Sequence, residues 1–374
     1  MQTLTAPTPA ARRGRSARAG FLIALAGLLA AVVGPARGQA PYYAGKTIEV
    51  IVPFAPGGAA DVGARFVAPF LEKHLAGGPR VTVRNVPGGG SMLGASFFAA
   101  NAKPDGLMLM CTTSSTVFPW MFGHPSARYD LAKMRVAMTL AFGPVVYVAP
   151  KTGVRKAADL LKPAEPLVYG GIAATGSDLP VLIAFELLRL PVKVVLGFEG
   201  RGPIRLAFER GETNLDFQFT PVYLTQVVPL VKDGKAVPLF TGGFPNERGE
   251  LVLRDPVVAD LPSTFEVYRD LYKSRPAGPR WRAYEAASSL TFTYGLTWWA
   301  PEGTPDAALR AINEAIDRIV ADPEFKERAK SVTGGYLLRR GDQVEAGVRK
   351  AMRPTLDVQK WIADLLREKY NVRF

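Results

Sequence analysis

The feature that most constrains the fold is an alternation of short β-branched segments with segments of helical periodicity, from residue 47 onward. Segment 47–54 (TIEVIVPF) predicts a largely buried strand, and 60–75 predicts a helix with Val62, Phe66 and Phe70 at intervals of four. Further strands are predicted at 81–86, 107–112, 145–148, 167–169, 192–196 and 216–219, with helices at 181–189 and 203–209. Strands that alternate with helices imply parallel βαβ units and a doubly wound α/β architecture.

Two later helix starts are marked by capping signals. Thr304 is predicted to cap a helix whose first position is Pro305, and Asp322-Pro323-Glu324 repeats this pattern. Between them and the earlier strands, region 242–290 lacks clean periodicity. We predict that this region is a long ordered insertion or surface excursion.

The length of 374 residues suggests two domains at roughly 150 residues per domain. With 48% hydrophobic and 21% charged residues, the composition is globular and excludes a disordered chain or a multispan membrane protein. The net charge of +13 includes five arginines within the first 38 residues, and the remaining basic residues are spread along the chain. A single cysteine, Cys111, excludes a disulfide framework and a cysteine-rich metal site.

Residues 1–38 have the three parts of an export signal. Arginines up to Arg18 precede an uncharged run at 21–33, and the small-residue site Ala36-Arg37-Gly38 follows. As a helix, this run of 13 residues spans about 20 Å, which is short of the roughly 30 Å hydrocarbon core of a membrane. We therefore predict a signal peptide cleaved near Gly38 and a periplasmic protein, with an uncleaved anchor as the alternative.

The strongest local signal is the turn at 53–61 (PFAPGGAAD). A strand runs into two prolines and two glycines before a helix begins, so the turn lies at the carboxyl end of a strand, where α/β proteins bind ligands. Gly57 and Gly58 let the backbone approach a ligand, and the first helical N–H groups have no intrahelical partner. With the helix dipole, these donors favour a carboxylate or another anion. The alternative is a tight turn without a ligand.

Further loops rich in Gly, Ser and Thr follow other predicted strands. They are 87–91 (PGGGS), 111–116 (CTTSST) and 170–178 (GGIAATGSD). Asp178 is predicted to cap the helix that follows the last of these loops. The turn at 198–203 contains Arg201, whose guanidinium is suited to bidentate pairing with a carboxylate, a surface arginine being the alternative. These loops predict a pocket supplied with neutral hydrogen-bond donors.

Most sequence motifs that identify enzymes are absent from this sequence. Segment 40–47 (APYYAGKT) matches a relaxed phosphate-loop pattern, but it leads into a strand, whereas a phosphate loop opens a helix. The sequence contains no GxSxG, HExxH or CxxC motif and no recognisable nucleic-acid-binding module. We therefore predict a protein that is not an enzyme, without a cofactor, a bound metal or a nucleic-acid partner.

Motifs along nearly the whole mature chain resemble the solute-binding proteins of the tripartite tricarboxylate transporter family, also called Bug proteins. The most specific is KTIEVIVPFAPGGAADVGAR (46–65), with its PFxPGGxxDxxAR form. VTVRNVPGGGSMLGA (81–95), YGGIAATGSDL (169–179) and GRGPIRLAFERGETNLDF (200–217) follow in the family's order. Three positions depart from the family pattern, since Val86, Pro180 and Glu199 stand where Arg, His and Lys are usual.

The resemblance implies a two-domain periplasmic-binding-protein fold, type II-like, in which the chain crosses between domains near Val146 and again near Ala300. Domain 1 is expected to comprise 39–146 and 301–374, with the C-terminal helices packed back on it. Domain 2 is expected to comprise 147–300, including the excursion at about 242–290. Family members deliver carboxylates to a membrane permease of one large and one small integral subunit.

The resemblance also implies a ligand site in the cleft between the domains. The family's ligand loops map onto Phe54, Ala55, Gly57, Gly58, Asp61, Ser114, Ser115, Thr175, Gly176, Ser177 and Asp216, to which the residue-based argument adds Arg201. We expect a monomer that captures a small carboxylate and delivers it to the permease subunits. A sensor that binds the same acids and signals to a membrane kinase is the alternative. A periplasmic hydrolase is less favoured, because a nucleophile–base pair is missing.

Overall fold

A computed structural model describes residues 40–246 and 248–373, together with positions 2, 3, 5, 6 and 8. From residue 42 onward the chain forms one compact unit, to which the following description refers. The predicted export signal at 1–38 lies outside the described residues, apart from those five isolated positions, and stays a prediction. Within the described part of the chain, no helix is long and apolar enough to span a membrane.

The described residues form strands and helices in alternation. The strands are β1 Thr47–Val52, β2 Arg80–Asn85, β3 Met108–Thr112, β4 Arg135–Leu140, β5 Pro144–Val148, β6 Leu167–Gly171, β7 Val192–Leu196, β8 Leu215–Phe219, β9 Val237–Thr241, β10 Leu296–Ala300 and β11 Leu338–Arg340. The longer helices are α1 Ala59–His74, α2 Met92–Asn101, α3 Ser114–Met121, α4 Leu179–Leu187, α5 Arg201–Glu209, α6 Thr264–Tyr272, α7 Gly278–Ser288, α8 Asp306–Ala321, α9 Pro323–Val332, α10 Gly341–Ala351 and α11 Leu356–Tyr370. Short helical segments at Thr220–Val222 and Val228–Lys232 flank a π-helical turn at Tyr223–Val227.

The strands form two sheets, and we call the parts of the molecule built on them the first lobe and the second lobe. The first sheet has the order β11-β4-β10-β3-β1-β2, and the second has the order β7-β6-β8-β5-β9. The predicted α/β class is therefore confirmed, and the strands are divided between two sheets, as the predicted two-domain fold requires. The sheets are mixed rather than wholly parallel, because β10 runs antiparallel to β3 and β4, and β5 runs antiparallel to β8 and β9. Strand β5 follows β4 of the other sheet directly, without the crossover helix that joins parallel strands, and β10 follows the helices of the second lobe.

The chain changes sheet twice. It passes from β4 to β5 between Leu140 and Pro144, and it returns to the first sheet at Leu296, after a π-helical turn at Ser289–Thr293. Val146 accordingly lies in the second sheet and Ala300 in the first, so both changes of sheet precede the positions expected from the sequence. Domain limits at 146 and 300 stay predictions, because the chain is one compact unit from residue 42 onward.

Apolar spacing places the helices on the core as expected. In α1, Phe66 and Phe70 are buried at an interval of four, whereas Val62, the third residue of the predicted spacing, is 39% exposed. Phe325 of α9 stacks against Phe66 with ring centroids 5.2 Å apart. The predicted cap at Asp322 is present, since its carboxylate accepts from the backbone N–H of Glu324 at 2.8 Å. The cap predicted for α8 is different, because Pro305 rather than Thr304 occupies the N-cap position.

The region 242–290 is an ordered part of the second lobe rather than a surface excursion. Its helix α7 packs against α4 and buries Trp281 and Tyr284, whose rings stack at 5.4 Å. The phenol of Tyr284 donates to the carbonyl of Gly242 at 2.5 Å. Large aromatic side chains here replace the regular apolar spacing that signals a helix, which is why the sequence did not predict these elements.

The C-terminal helices divide between the lobes. Helix α10 packs against β4 of the first sheet, as expected, whereas α11 packs against α7 of the second lobe. Ion pairs also join α11 to that lobe, between Asp357 and Arg282 at 2.5 Å and between Lys369 and Glu186. The prediction that all C-terminal helices pack back on the first domain is therefore wrong for α11.

Candidate functional site

Each lobe has an edge at which three strands end. Strands β1, β2 and β3 run parallel, and we call the residues that follow them, 53–61, 86–91 and 113–116, the first edge. Strands β6, β7 and β8 also run parallel, and we call the residues that follow them, 172–178, 197–203 and 220–223, the second edge. Carboxyl ends of parallel strands are where α/β sheets bind ligands.

The two edges are in direct contact. The side-chain oxygen of Ser115 accepts a hydrogen bond from the backbone N–H of Ser177 at 3.0 Å, and a Cβ on Gly176 would lie 3.3 Å from the same oxygen. The buried hydroxyls of Ser114 and Thr291 are hydrogen-bonded at 2.9 Å. The structure thus brings together predicted residues from both halves of the chain, with half-buried Thr175 in the same loop.

At the first edge, the turn before α1 leaves backbone donors free. Ala55, Gly57 and Gly58 are exposed, and Gly57 has a φ of +85°, which favours glycine. Gly58 is the N-cap of α1, and no side chain caps this helix. Among the described residues, none accepts the N–H groups of Gly58, Ala59 or Ala60. These unpaired groups at the positive end of the helix dipole make the turn suited to an anion.

Asp61 fixes the shape of this turn. Its buried carboxylate accepts from the N–H of Gly57 at 2.9 Å, from Arg65 Nε at 2.9 Å and from Asn85 Nδ2 at 3.0 Å. The same amide of Asn85 donates to the carbonyl of Phe54 at 3.0 Å. The predicted residue Asp61 is therefore tied to its own loop. Sequence reasoning missed Asn85, although a polar side chain at the end of a strand beside a predicted site was a usable signal.

At the second edge, Asp178 holds its loop in the way that Asp61 holds the turn of the first edge. Its fully buried carboxylate accepts from the N–H groups of Ile172 at 2.9 Å and Ala173 at 3.2 Å. It also accepts from the phenol of Tyr169 at 2.5 Å and from Arg201 Nη1 at 2.7 Å. Asp178 is the N-cap position of α4, as predicted, but its side chain binds the preceding loop rather than the helix N-terminus.

Arg201 lies in a triad with two carboxyl groups. Nη1 donates to Asp178, and Nη2 donates to Asp216 and to the carbonyl of Phe217, the latter at 2.7 Å. The guanidinium also lies 3.9 Å from the ring centroid of Phe217, and only 10% of its side chain is exposed. The structure thus excludes the surface-arginine alternative. A ligand contact by Arg201 stays a prediction, and both of its terminal nitrogens already have partners on this chain.

Asp216, another predicted site residue, is completely buried beneath the second edge. Besides Arg201, Tyr147 donates its phenol to this carboxyl group at 2.5 Å, and Gln218 Nε2 donates at 3.1 Å. Burial raises the pKa of Asp216 above its ordinary value, against the lowering effect of Arg201. Sequence reasoning missed Tyr147 and Gln218, because nothing in the pattern of strands β5 and β8 shows which buried polar groups meet.

The described residues include no cluster of three or more His, Cys, Asp or Glu side chains that is able to hold a metal ion. Cys111 is buried, and its thiol lies 3.7 Å from the carbonyl oxygen of Ala60. Burial raises the pKa of this thiol, which keeps it protonated and unreactive.

The two sheets and their loop-bearing edges define a two-lobed α/β fold, and comparisons with known proteins show the same fold. The solved periplasmic binding protein BugD superposes with a TM-score of 0.61 at 20% identity, covering 88% of this chain and 99% of that one. A Rhodopseudomonas palustris protein solved with adipate gives a TM-score of 0.64 at 19% identity, covering 86% of this chain and 96% of that one. These likenesses concern the fold.

In sequence, protein BugT of Bordetella pertussis is 28% identical over 216 residues. That alignment covers 56% of this chain and 63% of BugT, so it spans less than two thirds of the relative. No model of a known protein family matches the chain. The resemblance drawn from the motifs is nevertheless confirmed, and the chain is related to the Bug-type periplasmic binding proteins.

Proposed function

We propose that this chain is a periplasmic solute-binding protein that captures a small carboxylate between the first and second edges. It delivers the acid to integral-membrane permease subunits of a tripartite tricarboxylate-type transporter. The observation that carries the proposal is the meeting of one loop from each lobe at Ser115 and Ser177. Two further findings support it, since BugD is a periplasmic binding protein and the Rhodopseudomonas palustris protein was solved with adipate.

In this proposal, the contacts to the acid come from neutral groups. The first edge contributes the backbone at Phe54, Ala55, Gly57 and Gly58 and the hydroxyls of Ser114 and Ser115, and the second edge contributes Thr175, Gly176 and Ser177. Asp61 and Asp216 do not contact the acid and instead fix the positions of the neighbouring loops. Neutral donors suit this role, because a carboxylate that accepts several N–H and O–H bonds is stabilised without a counter-charge.

Binding is coupled to closure about the two segments that join the sheets. Closure of two lobes around a ligand is a hinge motion, and the segments at 141–143 and 294–295 are short enough to act as hinges. Once the acid is enclosed, the lower local dielectric strengthens each polar contact. The surface that contacts the permease then differs between the empty and the ligand-bound protein.

A thermal-shift screen tests the binding step. The exported protein is heated with monocarboxylates, dicarboxylates, tricarboxylates and aromatic acids, each at several concentrations. A bound acid at free concentration L stabilises the fold in proportion to ln(1 + L/Kd), which separates binding from a buffer effect. Stabilisation by at least one acid is expected, and an unchanged Tm with every acid would contradict the proposal.

The transport step needs a test in cells. Deletion of the gene is expected to abolish uptake of the acid identified in the screen. Normal uptake combined with loss of the cellular response to that acid would favour the sensor instead. Recovery of the protein from the cytoplasm alone would contradict a periplasmic role.

A further inference from the structure

The two edges differ in charge. Arg201 is the only lysine or arginine in either edge, and Asp178 and Asp216 already neutralise it. If both carboxyl groups are ionised, the triad carries one net negative charge, and if either is protonated it is neutral. In neither state does it offer a positive charge to a ligand.

A third carboxyl group increases this difference. Glu199 is exposed in the loop before α5, and it forms no ion pair with any of the described residues. The second edge with its supporting Asp216 therefore holds three carboxyl groups and one guanidinium. At the first edge, by contrast, the single carboxylate of Asp61 is matched by Arg65 at 2.9 Å.

Backbone donors, unlike charge, do not distinguish the two edges. In the loop 172–178, four N–H groups already have acceptors: those of Ile172 and Ala173 donate to Asp178, that of Gly176 to the carbonyl of Ala173, and that of Ser177 to Ser115. At the first edge, consecutive N–H groups from Gly58 to Ala60 have none among the described residues. In the turn 197–203 of the second edge, the N–H groups from Glu199 to Gly202 likewise have no acceptor among the described residues. Free donors are therefore present at both edges, and what distinguishes the second edge is its deficit of positive charge.

We propose that the site selects monocarboxylates over dicarboxylates of the same skeleton. The single carboxylate lies at the first edge, and an uncharged end of the ligand lies at the second edge. This inference rests on the proposed function and names the substrate class of that same site. The physical reason is that a second carboxylate between the lobes would be desolvated beside unmatched negative charge, which costs free energy.

Matched pairs of acids test the inference. Hexanoate is compared with adipate, butyrate with succinate, and 4-methylbenzoate with terephthalate, by isothermal titration calorimetry on the exported chain. For every pair that yields a Kd, the dicarboxylate is expected to bind at least tenfold more weakly than its partner. A dicarboxylate that binds as tightly as its monocarboxylate would overturn the inference and leave the proposed function standing. Failure of every acid to bind would overturn both.

A charge reversal supplies the matched variant. Glu199→Lys places a cation at the second edge, and Glu209→Lys makes the same change of charge at the far end of α5. Glu199→Lys is expected to reduce the preference for the monocarboxylate at least threefold, while Glu209→Lys leaves it unchanged. An identical preference in both variants would overturn the claim that missing positive charge at the second edge sets the selectivity.

Discussion

The side-chain oxygen of Ser115 accepts a hydrogen bond from the backbone N–H of Ser177 at 3.0 Å. Ser115 lies in the first turn of α3, after β3 of the first sheet, and Ser177 lies in the loop after β6 of the second sheet. Separation of the lobes at this point must break that bond. The pair therefore links the two edges, and the proposed closure of the lobes would form this bond.

Replacement of Ser115 by Ala tests this link. The substitution removes the acceptor and leaves the N–H of Ser177 unpaired, so the free energy of unfolding is expected to fall by about 1 kcal/mol. Urea unfolding followed by circular dichroism measures the change. Ser126→Ala is the matched control, because Ser126 is exposed and its side chain has no hydrogen bond in the described structure. Equal stability of the two variants would show that the interlobe bond contributes nothing.

Gly58→Val tests the anion-binding turn. The φ of Gly58 is −82°, and a Cβ there would have no neighbour nearer than the carbonyl oxygen of Ala55 at 4.0 Å, so the fold tolerates a side chain. A branched side chain at this N-cap would cover the free N–H groups of α1. We expect at least a tenfold loss of affinity for a binding acid, with little change in Tm.

The control for this experiment is Ala307→Val, which adds a branched side chain at an exposed position in the first turn of α8, outside both edges. Affinity is expected to stay within about threefold of the unmodified protein. Isothermal titration calorimetry measures both variants. Retention of full affinity by Gly58→Val would remove the first edge from the site.

The positions of the loops were predictable, because strand, glycine-rich turn and helix follow each other in a fixed order in parallel βαβ units. This reasoning placed the turn at Gly57 and Gly58 correctly at a sheet edge. The same reasoning missed β10, in which Trp298 and Trp299 are adjacent and both completely buried. A short strand buried on both sides shows no alternation, so its sequence does not distinguish it from other apolar segments.

A buried carboxyl group lies beside the first change of sheet. Asp255 is 1% exposed and accepts hydrogen bonds from the phenol of Tyr336 and from the N–H of Val257, the latter at 3.0 Å. Thr220, which is bonded to both backbone groups of Gly143, lies 3.4 Å from the same carboxylate. Tyr336 precedes β11 of the first sheet, so this cluster joins the two lobes beside that change of sheet.

Asp255 is expected to make stability depend on pH. Burial raises the pKa of this carboxyl group, against the lowering effect of its hydrogen bonds. In the unfolded chain this carboxyl group has a pKa of about 3.9, and in the folded chain its pKa is higher. Between these two pKa values the folded chain binds more protons than the unfolded chain, so the free energy of unfolding falls as the pH rises through this range. Asp255→Asn removes this titration. Urea unfolding from pH 4 to pH 7 should show a smaller loss in the variant, and parallel profiles would contradict the assignment.

Helix α11 is expected to be held by apolar contact rather than by its ion pairs. Ile362 is buried on this helix, and Ile362→Ala should lower the free energy of unfolding by about 2–5 kcal/mol. Asp357→Ala breaks the pair with Arg282, in which both side chains are half exposed, and should have a much smaller effect. Chemical unfolding of the two variants ranks them, and a larger loss for Asp357→Ala would contradict this account.

The partners of the charged residues were not predictable from the sequence. Arg201, Asp178 and Asp216 are up to 38 positions apart, and their meeting depends on how β6, β8 and α5 lie together in three dimensions. A residue pattern identifies a bidentate donor, but it does not show whether a ligand or the chain itself receives the hydrogen bonds. Asp61 illustrates the same point, because its motif is specific to the family, yet its carboxylate binds the turn in which it lies rather than a ligand in the described structure.

In the proposed site, main-chain donors at the first edge hold a carboxylate. Amide resonances of the ¹⁵N-labelled, deuterated protein, recorded with and without an acid that stabilises it, test this claim directly. We expect the largest shifts at Gly58, Ala59 and Ala60, with smaller shifts at Ser177. Unchanged resonances there, with shifts clustered instead around the pocket of about 200 Å³ lined by Phe98, Lys133 and Glu302, would contradict the account.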